Sequence, residues 1–434
     1  MNLATVNGWM WLAQGFIIFQ DQVDLSDHKG QEVREMILVN EATLKKNKLP
    51  EIHDLLSQHM VRIPSLVDVF AQIPDPRKAR GKRHPLQAML ALACVALLCG
   101  YRSLLAISEW AHNYGLAYLS CLGFKRHYPP SQATWYRVLR KIDWQALEEQ
   151  LADWVERVLA VLDSGNEWEG VALDGKTLRG SKKQGAANTH LLSALSHRLA
   201  ITLTQIAVSD KTNEIGAVGD LLVGLVMKGR VFTADALLTQ RNVAQSILDG
   251  KADYVFIVKK NQPTLYEDIA YLFGDLLNPE FVTDMCDVIN EGHGRVERRR
   301  LTTSTALIDY VTWPGIQQVF CLERVFTRKK TGEVSLEVVY GITSLGADEA
   351  TARQLLAFTR QHWHIENKSH WVRDVTFDED RSQVRVGNLP HVMATLRNTV
   401  INLLRTTGAD NIAKALRHYA ACPDDALALI GLPT

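Results

Sequence analysis

Three acidic residues have the residue types and the sequence positions of a metal site. Asp174 is predicted to end an apolar strand in VALDGK, and Asp235 to follow a second apolar strand in VFTADA. Glu366 lies in WHIENKSHW, which has helical spacing. Carboxylates that follow neighbouring strands are exposed at one rim of a sheet. Without thiol ligands they suit hard cations such as Mg²⁺ or Mn²⁺. We therefore predict a site for two divalent cations, which would activate a water or a 3′-hydroxyl for phosphodiester displacement.

These residues also have simpler interpretations. An aspartate after a strand commonly starts a turn or caps a helix. His362, Glu366 and His370 recur every four residues, which could indicate zinc. However, residues 362 and 370 would lie about 12 Å apart along a helix, too far for one ion. Zinc is therefore disfavoured. Trp363 and Trp371 are expected to lie in the core rather than to form base-stacking platforms.

Basic residues stand where they could contact DNA phosphates. A turn-rich stretch, IPDPRKARGKRHP, carries five cations, and further cations follow the first acid, follow the run DYVFIV, or flank the third acid. Backbone phosphates are bound mainly by such Lys and Arg side chains. The predicted DNA-binding set is Arg77, Lys78, Arg80, Lys82, Arg83, Lys176, Arg179, Lys259, Lys260, Arg360 and Arg373, with Lys182 and Lys183 as neighbours. The alternative for the first five is a solvated loop.

The pattern from residue 85 to about residue 162 is helical, with apolar residues three and four apart. Within it, the segment from Ser103 to Arg140 is compatible with a helix-turn-helix whose recognition helix is SQATWYRVLR. An ordinary helical bundle with Trp135 and Leu139 in its core explains the same pattern. The sequence leaves both interpretations open.

From residue 167 the pattern becomes mixed α/β. GVALDG, HLLSALS and AITLTQIAV are β-rich, and helical and β-rich runs then alternate up to DYVFIVKK, which predicts a mixed sheet. A β-rich insertion is predicted at about 292–344, from RRLTTSTAL, QQVFCLERVF and SLEVVYGITS. Helices are predicted from residue 347 to about 372 and from Leu389 to Arg405.

Composition restricts the class of protein. Lys plus Arg and Asp plus Glu are 48 each, so net charge does not select a partner. The longest uninterrupted apolar run, Ala88–Cys99, is shorter than the roughly 20 residues that span a bilayer, so it is predicted to be a core helix. The cysteines form no C-x-x-C pair, which favours reduced thiols. We expect a cytoplasmic, nucleoid-associated protein without a membrane partner.

Longer motifs carry a family resemblance that covers about residues 65–405. Seven motifs occur in the family's order along the chain. They are AQIPDPRKARGKRHPL, ISEWA, ALDGKTLRGS, TNEIGAV, TADALLTQR, DYVFIVKKNQPTL and HWHIENKSHWVRDVTFDED. This chain resembles insertion-sequence DDE transposases, in the group that contains the H-repeat-associated proteins. The resemblance implies an RNase H-like fold and magnesium-dependent cleavage and strand transfer at transposon ends. Its three acids fall on Asp174, Asp235 and Glu366.

The resemblance also implies partners and a domain plan. The partners are double-stranded DNA, as transposon terminal inverted repeats and target DNA, and a second copy in a homodimer on DNA. The predicted fold class is α/β, an RNase H-like mixed sheet with a β-rich insertion, preceded by an all-helical N-terminal domain. The predicted parts are a poorly ordered extension (1–60), a helical DNA-binding domain (61–165), the catalytic domain (166–405) and a C-terminal helical tail (406–434).

The chain departs from the wider transposase pattern around its glutamate. That pattern places Tyr, Arg and Lys at offsets of minus seven, minus four and plus seven, where this chain has Thr359, His362 and Arg373. His362 would be mostly neutral near its unperturbed pKa of about 6.5, and Arg360 could substitute for the missing arginine. A second acidic group is expected to be solvated or to pair with Arg381 and Arg385; its members are Asp374, Asp378, Glu379 and Asp380.

Two other functions remain compatible with these residues. One is a domesticated transposase that binds DNA without cutting it, although the intact carboxylates argue against decay. The other is a nuclease with the same fold. Strand transfer assayed beside simple cleavage separates the three functions.

Overall fold

The computed structural model describes residues 10–13, 16–19, 65–162, 168–181, 188–208, 214–274, 279–292 and 294–432. β1 (Met10–Ala13) and β2 (Phe16–Phe19) pair antiparallel. The rest of the extension predicted at 1–60, and the predicted cations Lys182 and Lys183, lie outside the described residues.

Helices form the first part of the chain around one central helix. They are α1 (Leu66–Ala71), α2 (Leu86–Leu98), α3 (Leu104–Asn113), α4 (Gln132–Leu139) and α5 (Trp144–Val161). Every residue of α2 except Gln87 is buried, because other helices surround it. This confirms the predicted core helix in the longest apolar run. Within the described part of the chain, no helix is long and apolar enough to cross a membrane.

The structure favours the bundle over the helix-turn-helix. Residues 114–131 separate α3 from α4, whereas a helix-turn-helix has a turn of about three or four residues. Trp135 and Leu139 of α4 are fully buried. The segment therefore belongs to the helical core.

A nine-stranded mixed sheet forms the second part. Its strands are β3 (Glu169–Leu178), β4 (Thr189–Ser196), β5 (Thr202–Val208), β6 (Arg230–Ala234), β7 (Asp253–Val258), β8 (Asp284–Gly292), β9 (Arg295–Ser304), β10 (Gln318–Arg328) and β11 (Val334–Thr343). The strand order is β5-β4-β3-β6-β7-β11-β10-β9-β8. β3 is antiparallel to β4 and parallel to β6, and β6 is parallel to β7. The first five strands confirm the predicted RNase H-like sheet.

The β-rich insertion extends that sheet instead of forming a separate one. β11 pairs with β7, and β10, β9 and β8 follow as antiparallel neighbours. Three of the four strands match the predicted runs, but β8 was not predicted. The insertion therefore lies directly beside the parallel strands that carry the candidate site.

Helices pack on the sheet and close the fold. They are α6 (Glu214–Val223), α7 (Arg241–Asp249), α8 (Pro263–Gly274), α9 (Ala352–His362), α10 (Leu389–Thr406), α11 (Ile412–Ala421) and α12 (Pro423–Leu429). α9 begins with a capping box in which Thr351 and Gln354 satisfy each other's backbone N–H. It crosses β3, β6 and β7 and reaches β8 and β9. One helix thus joins the central strands to the insertion.

Candidate active site

Asp174 and Asp235 lie side by side where the parallel pairing of β3 with β6 ends. The register runs to the pair Leu173 and Ala234, and the next residue on each strand is an acid. The prediction that Asp174 ends its own strand is wrong, because β3 continues to Leu178 as the partner of β4. Asp174 instead marks the point at which β3 loses its parallel neighbour.

Asp235 also makes the turn that its position after a strand suggested. Its Oδ1 accepts a hydrogen bond from the backbone N–H of Leu237 at 3.0 Å. The turn and a ligand role are compatible, because a carboxylate has several lone pairs on two oxygens.

Glu366 lies in a π-helical continuation of α9. The chain is π-helical over Ile365–His370 and Val372–Thr376. Ile365 is fully buried and packs in a small cluster with Ala172 and Leu195 of the sheet. This contact anchors the segment to the sheet and leaves the adjacent Glu366 exposed. π-Turns are rare and often occur at functional sites.

One cleft of about 160 Å³ contains all three acids. The pKa of Asp174 is raised to about 7, first by burial and then by the negative charges of Glu366, Asp235 and Glu214. The three carboxylates line the same cleft, and their like charges disfavour one another there. A divalent cation would remove this repulsion, so the all-oxygen donor set fits Mg²⁺ or Mn²⁺.

The histidines near the acids are neutral and face different partners. Burial lowers the pKa of His362 to about 4 and that of His370 to about 3. His362 Nδ1 lies 3.0 Å from the hydroxyl of Thr233, whereas His370 Nδ1 lies 3.4 Å from Asp174 Oδ2. These contacts give no support to a zinc site shared by the two histidines. A neutral His362 is also not a phosphate-binding cation.

Two predicted DNA contacts are corrected by the structure. Lys176 is 6% exposed and its Nζ lies 2.6 Å from Asp374. Arg373 is fully buried, and Glu379 at 2.8 Å neutralises it. Both cations have protein carboxylates as partners and do not face solvent, so neither is available to phosphates.

The second acidic group is likewise not simply solvated. Glu379 lies between Arg373 and Arg397, both at 2.8 Å. Burial acts to raise the pKa of Glu379, but the two positive charges outweigh it and hold that pKa below its usual value. Only Asp378 pairs with a predicted partner, Arg381, at 3.6 Å. The group is therefore mainly structural.

The other predicted cations remain accessible. Lys259, Lys260 and Arg360 are exposed, and Lys259 lines the cleft. Arg179 is exposed and lies 3.6 Å from Asp380.

We call residues 74–85, between α1 and α2, the basic loop. Lys78, Arg80, Lys82 and Arg83 in this loop are exposed. Arg77 differs, because it pairs with Asp75 at 2.8 Å and donates to the carbonyl of His84 at 2.7 Å.

Sequence reasoning missed two groups of residues near the acids. His190 Nε2 lies 2.5 Å from Glu214 Oε1, and this pair packs against Gly175, where a side chain would meet His190 at 2.8 Å. Arg324 and Glu337 of the insertion also line the cleft. The glutamate of TNEIGAV was a visible signal for the first group; the second depends on β11 pairing with β7, which no local pattern shows.

The prediction that Trp363 and Trp371 lie in the core is wrong. They are 49% and 56% exposed. Trp363 lines the cleft beside Glu366. The inward face of this helix is occupied instead by Ile365, His370 and Val372, which are buried.

The strand order and the acids at its centre define an RNase H-like protein, and comparison with known sequences gives its family. The Transposase DDE domain family matches residues 167–403, and the DDE_Tnp_1-associated family matches residues 67–155. The chain belongs to the Transposase DDE domain family. Members of this family generally use divalent metal ions.

Curated relatives match most of the chain. It is 31% identical to "Putative transposase YncI" of Escherichia coli O157:H7, over 79% of this chain and 88% of the relative. It is 30% identical to "H repeat-associated putative transposase YhhI" of Escherichia coli K12, over 82% of this chain and 93% of the relative. Among solved structures, a piggyBac transposase synaptic complex with hairpin DNA matches with a TM-score of 0.38 and 10% identity, over 84% of this chain and 76% of that chain.

Proposed function

We propose that this protein is a transposase that cuts DNA at transposon ends and transfers the cut strand to target DNA. The carrying observation is the adjacency of Asp174 and Asp235 at the end of the β3–β6 pairing, with Glu366 in the same cleft. Membership of the Transposase DDE domain family supports the reaction class. The proposed partners are terminal inverted repeats and target DNA, bound by a homodimer in the cytoplasm.

Asp174, Asp235 and Glu366 would hold two divalent cations. When bound, these ions would supply a nucleophilic water or 3′-hydroxyl and stabilise the leaving oxygen. Asp235 keeps its carboxylate oriented through the N–H of Leu237. Ile365 packs in one cluster with Ala172 of the sheet, and this contact would position the adjacent Glu366 relative to the sheet.

Exposed cations would position the DNA. Lys259 lies in the cleft itself, and Arg360 lies on the helix that carries Glu366. The basic loop lies outside the cleft residues and would bind backbone further along the duplex. Because phosphates carry no base identity, these contacts would orient DNA without selecting its sequence.

The test is Asp174→Asn. This change keeps the side-chain shape but removes the charge that attracts a cation, so cleavage and strand transfer should be lost while end binding is retained. Asp378→Asn is the matched control: Asp378 has a left-handed backbone with φ 55° that asparagine tolerates, and it pairs with Arg381 away from the cleft. The control should cut normally.

The outcomes separate the functions. Equal loss of binding and cleavage in Asp174→Asn would contradict the proposed division between metal site and DNA-binding surface. Cleavage by the native protein without strand transfer would identify a nuclease. DNA binding with neither reaction would identify a domesticated, inactive protein.

A further inference from the structure

One strand of the insertion has an unpaired edge beside the cleft. β11 pairs with β10 along its whole length, Val334–Thr343, but with β7 only over Tyr340–Thr343. Among the described residues, no strand pairs with residues 334–339 on the side that faces away from β10. We call residues 334–339 the open edge. It borders the candidate site, because Glu337 and Val339 line the cleft that contains the three acids.

The open edge is apolar on one face. Val334, Leu336 and Val338 alternate along it and are 62%, 61% and 43% exposed. Edge strands of soluble proteins are usually protected by lysine, proline or a bulge. The open edge contains no lysine or proline, and its pairing with β10 is regular. An exposed apolar edge of this kind is a template for pairing with another strand.

The backbone groups of the same three residues point outward. The N–H of Arg328 donates to the carbonyl of Glu333 at 2.9 Å, so Glu333 is hydrogen-bonded towards β10. Bonded and non-bonded positions alternate in an antiparallel ladder, so residues 334, 336 and 338 turn their N–H and carbonyl groups away from β10. The bond from Ser344 N–H to the Tyr254 carbonyl agrees with this alternation, because it places an even-numbered residue against β7.

The sequence of the open edge is complementary to itself in one register. Two copies can pair antiparallel about a two-fold axis at Leu336. Val334 then faces Val338 of the second copy, and Leu336 faces its own counterpart. On the opposite face of the sheet, Ser335 faces Glu337, whose carboxylate accepts the serine hydroxyl. Apolar residues therefore meet apolar residues, and polar residues meet polar residues.

Neighbouring registers bring acids together. An axis at residue 337 places Glu337 opposite its own counterpart, and an axis at residue 335 places Glu333 opposite Glu337. Like charges directly opposite each other destabilise a sheet. The axis at Leu336 instead brings Glu333 of the second copy opposite Val339, next to the point where β7 ends and Lys259 follows. The two-fold axis repeats this approach of an acid to a base at both ends of the paired segment.

We propose that two copies of this chain pair through their open edges, antiparallel and in the register centred on Leu336. The pairing joins the two nine-stranded sheets into one and forms two main-chain hydrogen bonds at each outward-facing pair. It gives the homodimer of the proposed function an interface. The strand of the second copy then runs along the wall of the cleft, because Glu337 and Val339 belong to that wall.

The test is self-association of the full chain, measured by sedimentation velocity without DNA. Leu336→Arg and Leu336→Glu each place like charges opposite each other at the two-fold axis. Each should weaken self-association by about 100-fold or more, because the contact between two leucine side chains is also lost. An equimolar mixture of the two variants should restore dimers, since each facing pair then joins opposite charges.

The matched control is Ile289→Arg. Ile289 lies on β8, at the far edge of the same sheet, and is 55% exposed. This variant introduces the same charge on an equally exposed strand and should leave self-association unchanged. Because Leu336 is 61% exposed in the single chain, its variants should fold normally, with an unchanged circular dichroism spectrum.

Several results would overturn the proposal. They are a monomeric native chain, a dimer that Leu336→Arg leaves intact, an equal loss in Ile289→Arg, and a mixture of the two Leu336 variants that stays monomeric. In a monomeric native chain, a lower unfolding midpoint of Leu336→Arg would show that another segment of the same chain covers the open edge. Loss of duplex binding in Leu336→Glu and Leu336→Arg alike, with unchanged association, would assign the open edge to DNA.

Failure of the proposed function is a separate result. Cleavage retained by Asp174→Asn would refute the proposed metal site, but self-association is measured without DNA and does not depend on cleavage.

Discussion

Replacing the four exposed cations of the basic loop with alanine should weaken DNA binding and reduce its dependence on salt. The residues are Lys78, Arg80, Lys82 and Arg83. Each phosphate contact contributes about 0.9 to the slope of log affinity against log salt. Four contacts should therefore make the slope shallower by about 3.6, and fewer contacts proportionately less.

Arg77 provides the matched control within the same loop. Its side chain is 10% exposed, and its guanidinium is bound to Asp75 and to the His84 carbonyl. Arg77→Ala should leave the salt slope unchanged but lower the thermal midpoint, because it removes buried hydrogen bonds worth about 1 to 3 kcal/mol.

The assay is a fluorescence anisotropy titration over a salt series, with transposon-end and random duplexes. Both sequences should lose affinity equally, because phosphates are common to both. An unchanged slope for the fourfold variant would show that the basic loop is only a solvated loop. A slope change for Arg77→Ala equal to that of an exposed lysine would refute the structural role given to Arg77.

Three further predictions concern Glu148, Glu379 and Gly175. Burial raises the pKa of Glu148 from 4.5 to about 7. Its contribution to the free energy of unfolding is therefore complete below pH 4.5 and falls by roughly 3 kcal/mol as the pH rises to 7. Glu148→Gln should flatten the pH dependence of the urea midpoint between pH 5 and 8. Glu379→Gln leaves two buried arginines without a counter-ion and should cost about 3–5 kcal/mol, seen as a lower melting temperature. Gly175→Ala would clash with Glu214 and His190 and should reduce cleavage without changing the salt slope; normal cleavage would contradict this.

The sequence predicted the elements whose hydrophobic pattern is strong. β3 to β7 and the helices between them follow apolar runs bounded by turn residues, and the structure confirms them. β8 was missed because it is the edge strand, and along Asp284–Gly292 only Cys286 is buried. Such a strand has little apolar alternation to detect.

Charged residues were harder to interpret because a sequence shows a charge but not its partner. Lys176 follows the first acid as a phosphate-binding lysine would, yet Asp374 binds it at 2.6 Å across 198 positions of the chain. Arg373 keeps the charge that the family pattern places seven residues after the glutamate, yet Glu379 neutralises it in a fully buried site. Both outcomes depend on how the π-helical segment lies on β3 and β5.

The winding of this segment also decides what Glu366 can do. If the chain after His362 continued as a regular α-helix, the exposed residues Trp363, Trp371 and Val375 would point in different directions around the helix. π-Turns reduce these differences in direction, so one segment buries Ile365 and Val372 against the sheet while Glu366 and both tryptophans remain outside. A repeat of 3.6 residues assigns the tryptophans to the core, because it assumes regular α-helical winding. The chain is π-helical around Glu366, so that assumption does not hold there. The departure from regular winding is thus the feature that leaves Glu366 exposed on a segment that is anchored to the sheet.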